Sequence, residues 1–307
     1  MKILALLLLP SLALAAAPPP STAPASNTPR RIGSLLITMD PASEAVGPKM
    51  ESHMNEALSQ FQGLTVRKPE QMFGLPRDTD AEASLKRGQQ GYQESLAAFQ
   101  KKEYEDAERK LRSTLKELQQ APAAMTASCA PLCDAIALYA AVMHQRGDAE
   151  EAKIALLDLM ALHPTYELDT KRYNREFIAL RVQVATSIHA ALRGGATVKS
   201  RPAGARVFID NEFRGYTPVT VPTLPVGKHL LRLERPGFRV TGQVLEVSPD
   251  DVEASLTLQP TEEYKAYDAR LDGVASEVMR ADKNNSSAAA SLGKALGLDR
   301  ALVGTLR

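Results

Sequence analysis

Residues 202–238 read PAGARVFIDNEFRGYTPVTVPTLPVGKHLLRLERPGF. Apolar and polar side chains alternate in Ala205–Ile209, Val219–Val221 and Leu231–Leu233, which is the period of a half-buried strand. Turn signals separate these runs. Asp210-Asn211 suits a hairpin, because Asn tolerates a positive φ. Thr217-Pro218 can begin an edge strand without wasting an N–H. Pro225-Val226-Gly227 and Pro236-Gly237 reverse the chain. The alternation resumes in Val244–Val247 and Ala254–Leu258. Strands this short and this regularly spaced predict a small antiparallel β-sandwich over residues 196–258.

Four motifs in this stretch give it a family resemblance. They are Pro202-Ala203-Gly204-Ala205 with Val207-Phe208-Ile209-Asp210-Asn211, then Gly215-Tyr216-Thr217-Pro218, Leu224-Pro225-Val226-Gly227-Lys228-His229, and Arg235-Pro236-Gly237-Phe238. Their order and spacing closely resemble the PEGA family. Ala203 stands where that family has its eponymous Glu, and Asn211 where it has a turn Gly. The resemblance implies an extracytoplasmic interaction or surface-layer module, with structural rather than catalytic roles for these residues.

Upstream, residues 82–193 are expected to be helical throughout. Two stretches resemble one another, Glu103–Leu111 (EYEDAERKL) and Gly147–Leu156 (GDAEEAKIAL), and Pro164 follows the second. The second resembles the tetratricopeptide repeat. Small Ala152, like Ala107 in the first copy, lets two helices approach. Gly147 permits the tight turn between them, and Pro164 ends the second helix. Ala107 and Ala152 are 45 residues apart, against a family period of about 34. The excess lies in the loop APAAMTASCAPLC, and Lys102 occupies the turn where Gly is usual. A generic helical-hairpin bundle is the alternative. Tyr173, Phe177, Leu180, Val184, Ile188 and Leu192 then form an apolar stripe that should cap the stack, ended by Gly194-Gly195.

Cys129 and Cys133 lie in SCAPLC. In an exported chain a lone thiol pair tends to close into a disulfide, and Pro131 leaves Cys129 in the loop entering a helix. Two partly buried free thiols are the alternative. The CxxxC spacing and the lack of a nearby second Cys/His pair argue against redox catalysis and zinc.

Export is expected from MKILALLLLPSLALAAA: Lys2, an apolar run over Ile3–Leu14, and Ala13 with Ala15 as a cleavage site. Residues 1–15 are accordingly a signal peptide and 16–31 a Pro/Ala-rich linker. No later segment is apolar for long enough to span a bilayer. Residues 32–75 read as a β-α-β segment, with Met50, Met54, Ala57, Leu58 and Phe61 as the apolar stripe of its helix. Residues 262–307 read as a helical segment ending in a strand, with Tyr264, Tyr267, Leu271, Val274 and Val278 on one face. Either the chain is truncated after Arg307, or this strand joins the sheet begun at residues 32–38. The fold class is multidomain α+β: helical hairpins, then a small sandwich, with short α/β segments at both ends.

Chemistry is hard to find. No P-loop, HExxH or GxSxG is present, and the five His residues, His53, His144, His163, His189 and His229, are scattered. No cofactor, metal or catalytic residue is expected. Lys+Arg is 37 against Asp+Glu 36, so nothing draws the whole chain toward nucleic acid. Charge is uneven within Ala196–Gln243, where eight Lys/Arg face three acids. Arg232, Arg235 and Arg239 are the candidate contacts for an anionic envelope polymer, the alternative being strand-edge charges that deter aggregation. The leading expectation is a non-catalytic periplasmic or extracellular envelope adaptor that meets protein partners through its repeats. The rival is the accessory region of a larger envelope enzyme or assembly factor whose C-terminal part is missing.

Overall fold

The computed structural model describes residues 29–188, 192–280 and 286–307. The signal peptide, most of the linker and His189 lie outside these residues. The described chain begins in β1 (Arg30–Thr38), so Arg30 and Arg31 belong to a strand and not to the linker. Asp40 caps α1 (Pro41–Leu58) by accepting from the Ser43 N–H at 2.8 Å, with Pro41 preset for the first turn. β2 (Leu64–Val66) pairs with β1 in parallel, and α2 (Pro69–Phe73) follows.

The helical unit holds two antiparallel hairpins, α3 (Thr79–Gln100) with α4 (Tyr104–Gln119) and α5 (Ala130–Gln145) with α6 (Ala149–Leu162), then α7 (Arg175–Ile188). It is not helical throughout, because loops occupy 120–129 and 163–174. The first loop is a wedge: Ala121, Ala123 and Met125 are buried, and Ala123 packs with Ala81 and Val240. Tyr173, Phe177 and Val184 cover the core as the stripe predicted, while Leu192 lies beyond the helix and is exposed.

Gly194-Gly195 does not stop a helix. Both residues belong to β3 (Arg193–Arg201), the first of seven strands. β4 (Arg206–Ile209), β5 (Glu212–Tyr216), β6 (Val219–Pro225), β7 (Gly227–Glu234), β8 (Thr241–Val247) and β9 (Val252–Thr257) follow. They form two sheets of order β6-β3-β9 and β5-β4-β7-β8. The sandwich is not wholly antiparallel, since β3 and β9 pair in parallel. Its core is built by inward residues of six of the strands: Ala196 and Val198, Val207 and Ile209, Val221 and Leu224, Leu231 and Leu233, Leu245 and Val247, Ala254 and Leu256. Leu230 points the other way and joins the core of the helices. At that seam Lys228 Nζ donates to Asp158 at 2.7 Å.

α8 (Glu262–Asp268), α9 (Leu271–Arg280), α10 (Ser287–Ala295) and β10 (Arg300–Leu306) complete the described chain. β10 pairs with β1 in parallel over seven positions from Ile32↔Arg300 to Thr38↔Leu306, making a sheet of order β10-β1-β2. The terminal strand thus joins the sheet of residues 30–38, and the two end segments form one α/β unit. Leu35 and Ile37 meet Val274, Ala275 and Leu292 on one face. The stripe of residues 264–278 is split between α8 and α9, with Tyr264 packed on the sandwich core and Leu271, Val274 and Val278 on the sheet.

The other sheet face takes α1, but not by the expected stripe. Met50 and Phe61 are exposed, while Ser43, Gly47 and Asn55 are buried. The reason is close approach: a Cβ on Gly47 would sit 2.6 Å from Thr38 Cγ2. Only small or hydrogen-bonded side chains fit there, and Ser34 Oγ donates to Asn55 Oδ1 at 2.7 Å across the contact.

Candidate functional site

The four motifs of the sandwich are bonded to one another. Thr217, fully buried, accepts from the Ala205 N–H at 3.0 Å, and its hydroxyl lies 2.5 Å from Ser200 Oγ. Its backbone bonds both Gly204 and Ala205. Pro202-Ala203-Gly204-Ala205 is thereby clamped to Gly215-Tyr216-Thr217-Pro218. Asp210 and Asn211 form the β4–β5 turn with φ of 52° and 65°, the geometry of the favoured two-residue hairpin. Asp210 also accepts from the Leu230 N–H at 2.8 Å, and His229 Nε2 lies 2.8 Å from the Pro225 carbonyl. Pro236-Gly237 docks outward: the Gly237 N–H donates to Gly74 O at 3.1 Å. A Cβ on Gly237 would lie 2.2 Å from the Tyr264 ring, so only Gly allows this approach.

Six of the eight basic residues of Ala196–Gln243 are ion-paired, while Arg201 and Arg239 are exposed. Arg232 is 5% exposed, stacks on Phe208 with its guanidinium 4.4 Å from the ring centroid, and is ion-paired to Glu234. Arg235 bonds the Ala203 carbonyl and lies 3.6 Å from Glu44. Lys199, Arg206, Arg214 and Lys228 are also ion-paired. Of the proposed trio only Arg239 faces solvent. Much of the local positive charge is therefore paired, with Glu212 and Glu234 inside the stretch and with Glu44, Glu70, Asp158 and Glu253 outside it.

In the helical unit Ala107 and Ala152 are fully buried. Gly147 turns between α5 and α6 at φ 85°, and Lys102 takes the matching left-handed position at φ 64° between α3 and α4. Pro164 lies just past α6, whose C-cap is His163. Cys129 and Cys133 are bonded at the entry to α5, with Cα atoms 5.5 Å apart. Both are buried, and Cys133 N–H donates to Cys129 O at 2.7 Å.

A cleft of about 1170 Å³ lies between the polar side of α1, α2, the sandwich ends and α8. Sequence reading missed it, because its walls come from segments more than 200 residues apart. Arg206 crosses it, bonding Glu70 of α2 at 2.8 Å and Glu234 at 3.1 Å. Phe73, Tyr264 and Tyr267 gather at one end, with the Phe73 ring 4.6 Å from Tyr267 and 5.5 Å from Tyr264. Aromatic side chains are few in this chain, yet four meet here, since the Phe238 ring lies 4.6 Å from Tyr264. Glu51 of α1 also lines the cleft. Burial pushes its carboxyl up to about 7; the Leu36 backbone opposes this, neighbouring Glu70 adds to it, and Arg235 opposes it. Among the described residues no group of His, Cys, Asp and Glu is arranged to hold a metal ion, and no helix is long and apolar enough to cross a membrane.

Residues 193–262 match the PEGA domain family. The match covers the whole sandwich and runs to the first residue of α8. No curated protein matches the chain.

Proposed function

We propose that this chain is an exported, non-catalytic binding protein of the cell envelope, an adaptor whose helical hairpins meet a protein partner while its sandwich docks to an envelope component. The observation that carries this reading is the PEGA match over residues 193–262, on a sandwich whose motif residues are largely engaged in bonds and packing within the fold. Such residues build a platform, which supports a binding role for the sandwich. The bonded cysteines support an oxidising compartment outside the cytoplasm. A tetratricopeptide-like role for the hairpins draws support from Gly147 in its left-handed turn, Ala107 and Ala152 buried in the core, and Pro164 beyond α6.

The test is expression of the full chain in a bacterial host, followed by fractionation and N-terminal sequencing. A mature protein beginning near Ala16 and recovered from the envelope fraction, with a defined partner retained after crosslinking, is the expected outcome. Intact Met1 on cytoplasmic protein would overturn the export part of the reading.

A further inference from the structure

We infer that the cleft between α1 and the sandwich binds a small ligand that carries an ammonium group with an oxygen acceptor beside it. The argument starts from two polar groups whose bonding the fold leaves incomplete: Glu51, which has a backbone hydrogen bond from Leu36 but no ion-pair partner, and Asn55. Glu51 lines the cleft and has no ion-pair partner among the described residues, whereas Glu44, Glu70 and Glu234 around it are all paired to arginines. An unpaired carboxylate in such a place is costly until a cation or strong donor reaches it. Its elevated titration near neutrality reflects that cost.

One helical turn along the same face is Asn55. It is 2% exposed and lines the cleft, and its Nδ2 has no hydrogen-bond partner, although Ser34 occupies its Oδ1. A buried amide donor left unmade costs about 1–3 kcal/mol, so its natural complement is an acceptor oxygen. Residues four apart on a helix hold their side chains about 5–6 Å apart. One small molecule with an ammonium next to a hydroxyl or carbonyl spans that interval. Tyr264, Tyr267 and Phe73 add ring faces, which attract cations.

The same observations reject other ligand classes. An anion such as phosphate would meet the Glu51 carboxylate, while both terminal nitrogens of Arg206 and Nη1 of Arg235 are already engaged. A purely apolar ligand would leave both Glu51 and Asn55 unsatisfied. Two sources share the required chemistry, an amino sugar and an aminoacyl amide.

The test is isothermal titration of the full chain with glucosamine, with glycinamide and with N-acetylglucosamine, repeated on Glu51→Gln. Saturable binding of either amine is expected, and which one binds identifies the source. N-acetylglucosamine, whose nitrogen carries no charge, should not bind. Glu51→Gln should weaken amine binding about tenfold or more, since charged hydrogen bonds are worth at least that factor. If that variant does not fold, the acetylated sugar still decides the question on the natural chain. Failure of both amines to bind, equal binding of N-acetylglucosamine, or undiminished affinity in Glu51→Gln would overturn the inference.

Discussion

His229 Nδ1 lies 2.6 Å from Asp210 Oδ2, so the start of β7 is tied to the turn between β4 and β5 by a side chain only 1% exposed. Burial alone would lower the imidazole pKa. The bond to Asp210, the Asp210 charge and the Pro225 carbonyl outweigh it against opposition from Arg214, and the net shift is upward. A raised folded-state pKa stabilises the protein fully below the unfolded value of about 6.5, and that contribution is lost as pH rises through the folded value. Denaturant midpoints of the natural chain and His229→Gln, compared between about pH 5 and pH 9, should differ most at the acid end and converge toward the alkaline end. A gap that widens with pH would contradict the charged pair.

Thr217 carries a second prediction. Its hydroxyl satisfies the Ala205 N–H at 3.0 Å and meets Ser200 Oγ at 2.5 Å in a site closed to water. Thr217→Val keeps the shape but strands those partners, and should cost about 1–3 kcal/mol. Thr220, whose exposed hydroxyl meets only Thr197 at 3.1 Å, is the control. Thr220→Val should change the unfolding midpoint far less, and equal losses would mean that the clamp between the two motifs is not stabilising.

What could be read from sequence follows from the range of the interactions involved. Alternation located β4, β8 and β9 because those strands put one face into the sandwich core, whereas β7 is buried on both faces, with Leu230 in the core of the helices. β5 was harder, since Glu212–Tyr216 is a sheet edge with no fully buried residue. β3 was obscured by Gly194-Gly195, which read as a helix stop although a β-bulge there shifts the pairing with β6. On α1 the large apolar residues are not the ones that pack: the contact is made by Ser43, Gly47 and Asn55, whose small or polar side chains carry no hydrophobic signal. The cleft was out of reach for the same reason as the fate of the arginines. Glu44 and Arg235, or Glu70 and Arg206, are neighbours only after the sandwich has docked against the terminal α/β unit.

The helical hairpins make a third prediction. Ala152 is fully buried in the core, whereas Ala149 one turn earlier on α6 faces solvent. Ala152→Leu adds three heavy atoms where there is no room and should cost about 1–3 kcal/mol by overpacking. Ala149→Leu should lie within about 0.5 kcal/mol of the natural chain. Calorimetric melting of both variants checks this, and indistinguishable transitions would refute the close approach of helices at Ala152.

The disulfide makes the last. Cys129 and Cys133 enclose a short loop at the start of α5, and both sulfur-bearing residues are shielded, Cys129 at 6% exposure and Cys133 at 0%. The native protein purified from an oxidising compartment should therefore resist alkylation without reductant, and mass spectrometry should find the peptide two hydrogens lighter than its dithiol form. Reductant alone should act slowly on the folded protein, because the thiolate attack that breaks a disulfide needs access to sulfur. Once the bond is cut in denaturant and the thiols are blocked, refolded protein should be less stable by about 2 kcal/mol, the loop-entropy value for so short a ring. The loss should concentrate in the hairpin that α5 forms with α6, because the bonded loop sets where α5 begins. Amide exchange would locate it: faster exchange in α5 and α6 with unchanged protection in the sandwich is the expected pattern. Complete alkylation of both cysteines before any reduction would show instead that the pair is carried as free thiols.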